Sequence, residues 1–355
     1  MRAPVRKISI LRHETTEPGG GATPPPAAVI LVTTLIVGLL AACIPIVTTK
    51  TGVITHGDIV SNGDSIGWLL VCRPSHTLPD DPIKFPGQPG ASHLHDFWGN
   101  ASTTGSSTLA TQEASSNDAV QNTYIGSDTA AGTSCDLSAY AGTADTASYW
   151  APTVYADGVR IVPDDKAELY YRAKPVFNTN FVPFPQDARL VVGNHDATSV
   201  ATNPALVSDA LHFECDGDTA HHYTAPPTTC TTFLMIVTFP SCYDGGPMDH
   251  TGPIGTDNEQ FAYASNATDG TCPSNFPISV PTLSEKFKYT VPSTGMDIEF
   301  SADPTGPMAG IPMPTYTAHA DFWNTWQPAA LRYLVTNCIN AQISCGTNPI
   351  VPVGP

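Results

Sequence analysis

Short apolar runs separated by clusters of Pro, Gly, Asn and Asp dominate the chain from residue 66 onward. Runs of this kind, rich in β-branched and aromatic residues and bounded by turn residues, are typical of β-strands. One of them, residues 233–237, is apolar at every position, which predicts a central strand. On this pattern we predict strands at residues 67–72, 150–155, 168–174, 189–194, 211–215, 232–239, 285–291 and 297–301.

Only one segment, near the C-terminus, has a convincing helical pattern. Pro328 suits the first position of a helix, and an apolar stripe then runs to about Ala341. Residues 101–148 are rich in Ser, Thr, Ala and Gly and show little periodicity, so we predict a long surface excursion held by Cys135. As a whole the pattern predicts a mainly β protein, a β-sandwich-like single domain with long loops and one C-terminal helix.

The N-terminal residues have the organisation of an export signal. A basic segment precedes an apolar run over residues 27–42, and the following Cys43 completes a sequence, Leu-Ala-Ala-Cys, that resembles a lipobox, in which the cysteine is lipidated. The alternative is an uncleaved helix spanning the membrane over residues 27–47. Either way we expect an extracytoplasmic protein, anchored to the cell membrane or secreted. We divide the chain into a signal or anchor (1–43), a tether (44–65), a β domain (66–345) and a tail (346–355).

The number of cysteines agrees with export. Setting Cys43 aside from the nine cysteines leaves eight, an even number that suits four disulfides in an oxidising compartment. A tetracysteine zinc site is the alternative, although the chain has no Cys-X-X-Cys sequence. Connectivity does not follow from the sequence. Pairing near neighbours suggests Cys215–Cys230, Cys242–Cys272 and Cys338–Cys345, which leaves Cys72 with Cys135.

The charge of the chain narrows the range of partners. Its formal net charge is −17, although only 13% of its residues are charged. An acidic protein repels phosphate groups, which argues against nucleic acid and anionic membrane surfaces as partners. The same charge is compatible with neutral glycans or with bound cations.

The densest group of chemically active side chains is at residues 92–100, with the sequence Ser-His-Leu-His-Asp-Phe-Trp-Gly-Asn. If His93 and His95 lie on an extended segment, their imidazoles share a face, because side chains alternate along a strand. Such a pair is the usual start of a zinc, copper or iron site. It could equally act as a general acid and base, or be a buried pair hydrogen-bonded to the backbone.

Two further pairs have the same spacing, His212 with Glu214 and His319 with Asp321. We predict that His319 joins His93 and His95 as a ligand of a divalent metal, Zn or Cu. The adjacent His221 and His222 would face opposite sides of a strand, and we predict that both are solvated. The candidate catalytic residues are His93, His95, Asp96, His319 and Asp321.

Both histidine motifs run into a Phe-Trp pair and an Asn. We predict that Trp98 and Trp323 wall one pocket beside the histidines, because indole rings near carboxylates and amides suit sugar rings. The alternative is that both indoles are core residues at strand ends. The candidate substrate-binding residues are Trp98, Asn100, Trp323 and Glu214.

The body of the chain resembles the secreted DUF1996 family. Members occur in fungi and actinomycete-type bacteria, sometimes beside carbohydrate-binding modules, which implies work on cell-wall or other extracellular polysaccharide. The sequence after His95 departs from the His-X-His-Thr of fungal members. The resemblance rests on segments in the family's order: Asp81-Pro82-Ile83 through Pro86-Gly87, Ser92-His93-Leu94-His95, Ser148-Tyr149-Trp150-Ala151-Pro152, Phe239-Pro240-Ser241-Cys242-Tyr243-Asp244-Gly245, Cys272-Pro273 and His319-Ala320-Asp321-Phe322.

Three functions therefore stay open. The first is an extracytoplasmic hydrolase that acts on polysaccharide or cell-wall glycan through a pocket of His, Asp and Trp residues, with or without a metal. The second is a non-catalytic carbohydrate-binding lipoprotein. The third is a structural envelope lipoprotein. Loss of the histidines would end catalysis, whereas sugar binding alone would depend on the aromatic residues.

Overall fold

The computed structural model of the protein describes residues 66–121, 132–136, 145–173, 180–252, 255–264, 270–303 and 315–347, together with Pro349. The predicted export signal, the lipidation site Cys43 and the tether lie outside the described residues, as does most of the predicted tail. Within the described ranges, no helix is long and apolar enough to cross a membrane.

The described elements are mostly strands. The strands are β1 (Gly67–Cys72), β2 (His76–Leu78), β3 (His95–Gly99), β4 (Cys135–Asp136), β5 (Ser148–Pro152), β6 (Val154–Ala156), β7 (Val159–Ile161), β8 (Ala167–Arg172), β9 (Arg189–Gly193), β10 (Leu211–Cys215), β11 (Thr232–Thr238), β12 (Cys242–Tyr243), β13 (Phe261–Ala262), β14 (Ile278–Ser279), β15 (Thr282–Thr290), β16 (Ile298–Phe300), β17 (His319–Trp323) and β18 (Ser344–Thr347). The helices are α1 (Leu109–Gln121), α2 (Pro204–Val207) and α3 (Pro328–Leu334), with 3-10 turns at Val200–Thr202 and Asn258–Gln260.

Two large sheets form the body. The first has the order β10-β11-β15-β8-β1-β18, with β4 also paired to β1. The second has the order β2-β3-β5-β17-β9, with every pair antiparallel. Two small sheets, β13-β12-β14 and β16-β6-β7, complete the described strands. The predicted mainly β, sandwich-like class is confirmed, and β11 is an interior strand as its apolar sequence predicts.

The main core lies between the two large sheets. Trp98 of β3 packs against Phe287 of β15, with ring centroids 4.3 Å apart. Tyr149 of β5 and Tyr171 of β8 join the sheets through hydroxyl oxygens 2.6 Å apart. Full burial of one large apolar side chain contributes about 1.5–3 kcal/mol, so these aromatic contacts are a large part of what holds the sheets together.

The helical predictions need two corrections. The C-terminal helix begins at Pro328 as predicted, but the α-helix ends at Leu334 and a π-helical turn, Val335–Ile339, follows. The predicted surface excursion at residues 101–148 contains an unexpected helix, α1. Its start is a reciprocal cap, because Thr108 and Thr111 exchange side chain-to-backbone hydrogen bonds of 2.9 and 3.3 Å.

All four predicted disulfides are present. Cys72–Cys135 joins β1 to β4, and Cys215–Cys230, Cys242–Cys272 and Cys338–Cys345 close shorter segments. Disulfides persist in oxidising compartments, so this framework is consistent with an extracellular protein.

Candidate metal centre

His95 and His319 lie in one cross-strand row of the second sheet. Strand β5 lies between β3 and β17, and the registers pair His95 with Pro152 and Asp321 with Trp150. Extending the second register by two residues places His319 opposite Pro152, on the side away from His95. Both imidazoles point to the outer face of the sheet, because they alternate with the core residues Trp98 and Ala320. Their rings therefore meet above β5.

A loop brings in the third imidazole. His93 precedes β3, which begins at His95, so the two histidines do not share one strand. The carboxylate of Asp80 shapes this loop by accepting hydrogen bonds from the backbone N–H groups of Gly90 and Gly105, at 2.6 and 2.7 Å. The ring centroid of His93 lies 4.1 Å from that of His95 and 5.0 Å from that of His319. The three histidines come together as the sequence predicts, while their role as metal ligands stays a prediction.

Backbone carbonyls fix the tautomers of two of the three rings. The Nδ1 atom of His95 lies 2.9 Å from the carbonyl oxygen of Asp80, and that of His319 lies 2.7 Å from the carbonyl oxygen of Thr317. A carbonyl oxygen only accepts, so each Nδ1 carries the hydrogen and each Nε2 presents a lone pair. The same arrangement orients metal-binding histidines in known metalloproteins.

The Nε2 atoms face one another at short distances. His319 Nε2 lies 3.2 Å from His95 Nε2 and 3.3 Å from His93 Nε2. His93 can donate one proton to His319, but the contact between His95 and His319 still joins two lone pairs. Zinc–nitrogen bonds of about 2.0–2.1 Å at a tetrahedral angle separate the two nitrogens by about 3.3–3.4 Å. The spacing therefore matches that of imidazoles sharing one ion.

Asp321 adds a buried carboxyl group to the site. One of its oxygens lies 3.8 Å from His319 Nε2, and neither oxygen has a hydrogen-bond partner in the part of the chain that the structure describes. Burial raises the pKa of Asp321 well above its usual value, and the charges of Asp81 and Glu285 add to this. A buried carboxyl group without donors is costly, and a cation beside it would remove that cost.

The imidazoles are neutral at pH 7. Burial lowers the pKa of His93 to about 4 and that of His319 to about 3, and it lowers the pKa of His95 well below its usual value. The positive charge of Lys84 lowers all three further. Metals bind the neutral form of imidazole, so these pKa shifts keep the three lone pairs available.

Two of the predicted site residues lie on the wrong side of the sheet. Asp96 and Trp98 alternate with His95 along β3, so both point inward and away from the histidines. Asp96 is buried and accepts hydrogen bonds from Thr77 and Arg160 at 2.6 and 2.7 Å, so it pairs with an exposed arginine instead of with the histidines. Trp98 is only 1% exposed. The prediction that Trp98 lies beside the histidines is wrong.

The remaining predicted residues are also buried elsewhere. Trp323 shares the face of His319 and Asp321 but is fully buried, and its indole N–H donates to Asp187 at 2.6 Å. Asn100 is tied to Ser102 and to Ser115 of α1. Glu214 lies on β10, in the other large sheet. A buried indole cannot offer its face to a sugar ring, so the geometry does not support stacking of sugars on either tryptophan.

Two residues near the histidines were missed as site residues, and a third, His195, is a weaker candidate from sequence because it follows the end of the predicted strand at residues 189–194. The ring centroid of His195 lies 5.7 Å from that of His319. Burial raises the pKa of Asp81 to about 6, against hydrogen bonds from two backbone N–H groups. Lys84 lies 3.6 Å from the carboxylate of Asp196.

The sequence matches the model of a known protein family. The model of DUF1996, a domain of unknown function, matches residues 81–326, which is more than half of the chain. The chain belongs to the DUF1996 family. The DUF1996 match includes all three histidines and Asp321 and ends just before α3. Searches of curated proteins and of solved structures found no match.

Proposed function

We propose that this DUF1996 protein is an extracytoplasmic metalloprotein whose ion, Zn or Cu, is held by His93, His95 and His319. The observation that carries the proposal is the contact between His95 Nε2 and His319 Nε2 at 3.2 Å. Both nitrogens present lone pairs, because both Nδ1 atoms donate to carbonyl oxygens. Two lone pairs at this distance repel unless a cation lies between them.

The surroundings support chemistry at the ion as well as storage of it. Three imidazoles leave a fourth position open on zinc, and water bound there ionises near neutral pH. A cation held by the histidines would favour the ionised form of Asp321, whose oxygen lies 3.8 Å from His319 Nε2, and the carboxylate could then act as a fourth ligand or as a base. His93 is the only ligand candidate of the three that is not fully buried, so a substrate would approach on its side.

The substrate class we propose is polysaccharide or cell-wall glycan, with hydrolysis as the reaction. The acidic chain supports this over nucleic acid, because a net charge of −17 repels a phosphate backbone. With Trp98 and Trp323 buried, the proposal rests on the metal centre instead of on aromatic stacking.

Metal analysis tests the centre directly. The purified, oxidised chain is dialysed against Zn²⁺ or Cu²⁺, and bound metal is counted for the wild type, His319→Gln and the control His221→Ala. His221 is exposed and pairs only with Asp218 in the described structure, so its loss should change nothing. We expect His319→Gln to lose one equivalent. Equal metal content in His319→Gln and the wild type would refute the centre.

A glycan screen then separates catalysis from binding. Release of reducing ends is measured on insoluble and soluble polysaccharides with the wild type, the chelated protein and His319→Gln. Turnover that disappears in both treated samples supports a metal-dependent hydrolase. Retention of the protein on a glycan without turnover would instead support the non-catalytic carbohydrate-binding lipoprotein.

We also propose that the chain is anchored to the membrane through lipid on Cys43. The support is the Leu-Ala-Ala-Cys sequence at the end of the apolar run and the odd ninth cysteine, which the four disulfides leave over. Labelled fatty acid should be incorporated into the wild type and not into Cys43→Ser. Absence of label from the wild type would point to the spanning helix instead.

A further inference from the structure

A second group of histidines and carboxylates lies on the first large sheet, on β10 and the segments around it. Its members are Asp209, His212, Glu214 and His222. The antiparallel bridge between Phe213 and Tyr223 places Glu214 opposite His222 and on the same face as His212. The two imidazoles stack, with ring centroids 3.8 Å apart and planes 6° from parallel. His222 is exposed as predicted, but its imidazole also contacts His212 and the two carboxylates.

The local structure holds this group in place. The disulfide Cys215–Cys230 closes the segment that carries His222 onto the end of β10. Two backbone hydrogen bonds of 2.9 Å between Phe213 and Tyr223 fix the register beside it. Asp209 adopts a left-handed conformation with φ of +63°, which turns both its carbonyl and its carboxylate toward the two rings.

The tautomers again follow from the acceptors. His212 Nδ1 donates to the carbonyl oxygen of Asp209 at 3.1 Å, and His222 Nδ1 donates to the carboxylate of Asp209 at 2.7 Å. In neutral rings each Nε2 then presents a lone pair. Both Nε2 atoms lie near the same oxygen of Glu214, at 3.5 Å for His212 and 3.4 Å for His222. Three acceptors thus converge with no proton among them.

Glu214 is a second, independent indication that a ligand binds at this group of side chains. Its side chain is only 5% exposed, and its second carboxylate oxygen is buried with no hydrogen-bond partner among the described residues. The ion pairs found for Glu214 in the described part of the chain are with these two imidazoles. A buried carboxylate facing two lone pairs is unfavourable until a cation or protons enter.

We infer that His212, His222 and Glu214 form a second metal site, for a divalent ion of zinc type, with Asp209 orienting both rings. Zinc bonds of about 2.0–2.2 Å at a tetrahedral angle separate nitrogen and oxygen ligands by about 3.3–3.5 Å, which the two contacts with Glu214 match. The two rings are nearly parallel in the described structure, so they would have to tilt toward each other for both Nε2 atoms to bind one ion. His222, with 40% of its side chain exposed, is the side of entry for the ion.

The rival occupant of the site is a pair of protons. Both imidazoles would then be charged while their ring centroids lie 3.8 Å apart, with Asp209 and Glu214 as counter-ions. Two like charges this close repel strongly, whereas one divalent ion balances both carboxylates and leaves the rings neutral. The charge balance therefore favours the ion.

Zinc alone is the probe for the test. Bound Zn²⁺ is counted at pH 7.5 in the full chain for the wild type, His222→Ala, Glu214→Gln and His221→Ala. His221 is adjacent to His222 in sequence but pairs with Asp218, so it is a matched control. We expect His222→Ala and Glu214→Gln each to lose one equivalent and His221→Ala to lose none. Because the exposed His222 can be truncated without opening the core, its variant keeps the test valid if Glu214→Gln does not fold.

The two sites give separable results. A second site without the first would appear as zinc that is lost in His222→Ala and retained in His319→Gln. Co²⁺ absorption adds a spectroscopic readout, since the cobalt band of the second site should be lost in His222→Ala and kept in His319→Gln. Unchanged zinc content in His222→Ala, as a pair of protons would give, or equal losses in His221→Ala and His222→Ala, would overturn the second site.

Discussion

Gly193 determines how closely β9 approaches the metal centre. It pairs with His319 and has a φ of +108°, which L side chains rarely adopt. A Cβ atom there would lie 2.3 Å from the carbonyl oxygen of Ala318 and 2.6 Å from the Cα atom of His319. Both contacts are with backbone, so β9 and β17 would have to separate. Gly193→Ala therefore tests whether the site depends on this approach.

The cost has two parts. The positive φ costs an alanine about 1–2 kcal/mol. Overpacking against the backbone costs typically about 1–3 kcal/mol. We expect Gly193→Ala to lower the free energy of unfolding by about 2–5 kcal/mol. Displacement of His319 should also weaken metal binding by about 10–100-fold, the range found when the groups around metal ligands are changed.

Gly158 provides the matched control. It has a φ of +74° in the turn between β6 and β7, and a Cβ atom there would meet nothing within 4 Å. Gly158→Ala should therefore show the conformational cost alone, with zinc affinity unchanged. Urea unfolding of the metal-free proteins gives the stabilities, and zinc titration gives the affinities. Equal destabilisation by both substitutions, together with unchanged zinc affinity in Gly193→Ala, would refute this reasoning.

Two further predictions concern the body of the protein. Glu285 is fully buried, neither of its oxygens has a partner among the described residues, and burial raises its pKa well above the usual value. The free energy of unfolding of the wild type should therefore fall as the pH rises from about 4.5, by up to about 1.4 kcal/mol per pH unit. Calorimetry at pH 5 and pH 8 should show a smaller fall for Glu285→Gln, and parallel curves would contradict this. Cys72 and Cys135 are 63 residues apart, whereas Cys338 and Cys345 are 7 apart. Replacing the first pair by Ala should cost about 4 kcal/mol and the second about 2 kcal/mol, and the reverse order in urea unfolding would contradict the loop-entropy account.

The segments predicted from the sequence overlap nine of the 18 described strands, because the periodicity of those strands is local. Residues 211–215 and 67–72 coincide with β10 and β1, and Pro328 begins α3. Helix α1 was missed because its sequence has almost no apolar stripe. It contacts the body through the buried side chain of Gln112, whose amide oxygen accepts hydrogen bonds from the hydroxyl groups of Thr103 and Ser148. Composition gave no sign of that polar contact, although the threonines at 108 and 111 are a capping signal.

For the candidate site, the alternation of side chains along a strand explains one prediction that was right and one that was wrong. It correctly predicts that His319 and Asp321 share a face. Applied to Trp98, three residues after His95, it predicts the opposite face, and the structure agrees with the alternation. The meeting of β3 and β17 around β5 depends on two non-local pairings, since the paired residues of β5 and β17 are more than 160 apart in sequence and those of β3 and β5 about 50 apart, which no local pattern contains.

The cost of the three-histidine arrangement argues against a role in packing alone. A buried polar group without a partner costs about 1–3 kcal/mol. Because His93 can donate to His319 Nε2, two groups of the described site are left without a donor, His95 Nε2 and the Asp321 carboxyl group, at about 2–6 kcal/mol together. Whole domains are stable by only about 5–15 kcal/mol. Apolar side chains of the same size would fill this space, over the small core of Phe97, Trp150 and Trp323, without that cost. An ion that binds the lone pairs and balances Asp321 offsets it, which is the reason to look for metal in this protein before any other ligand.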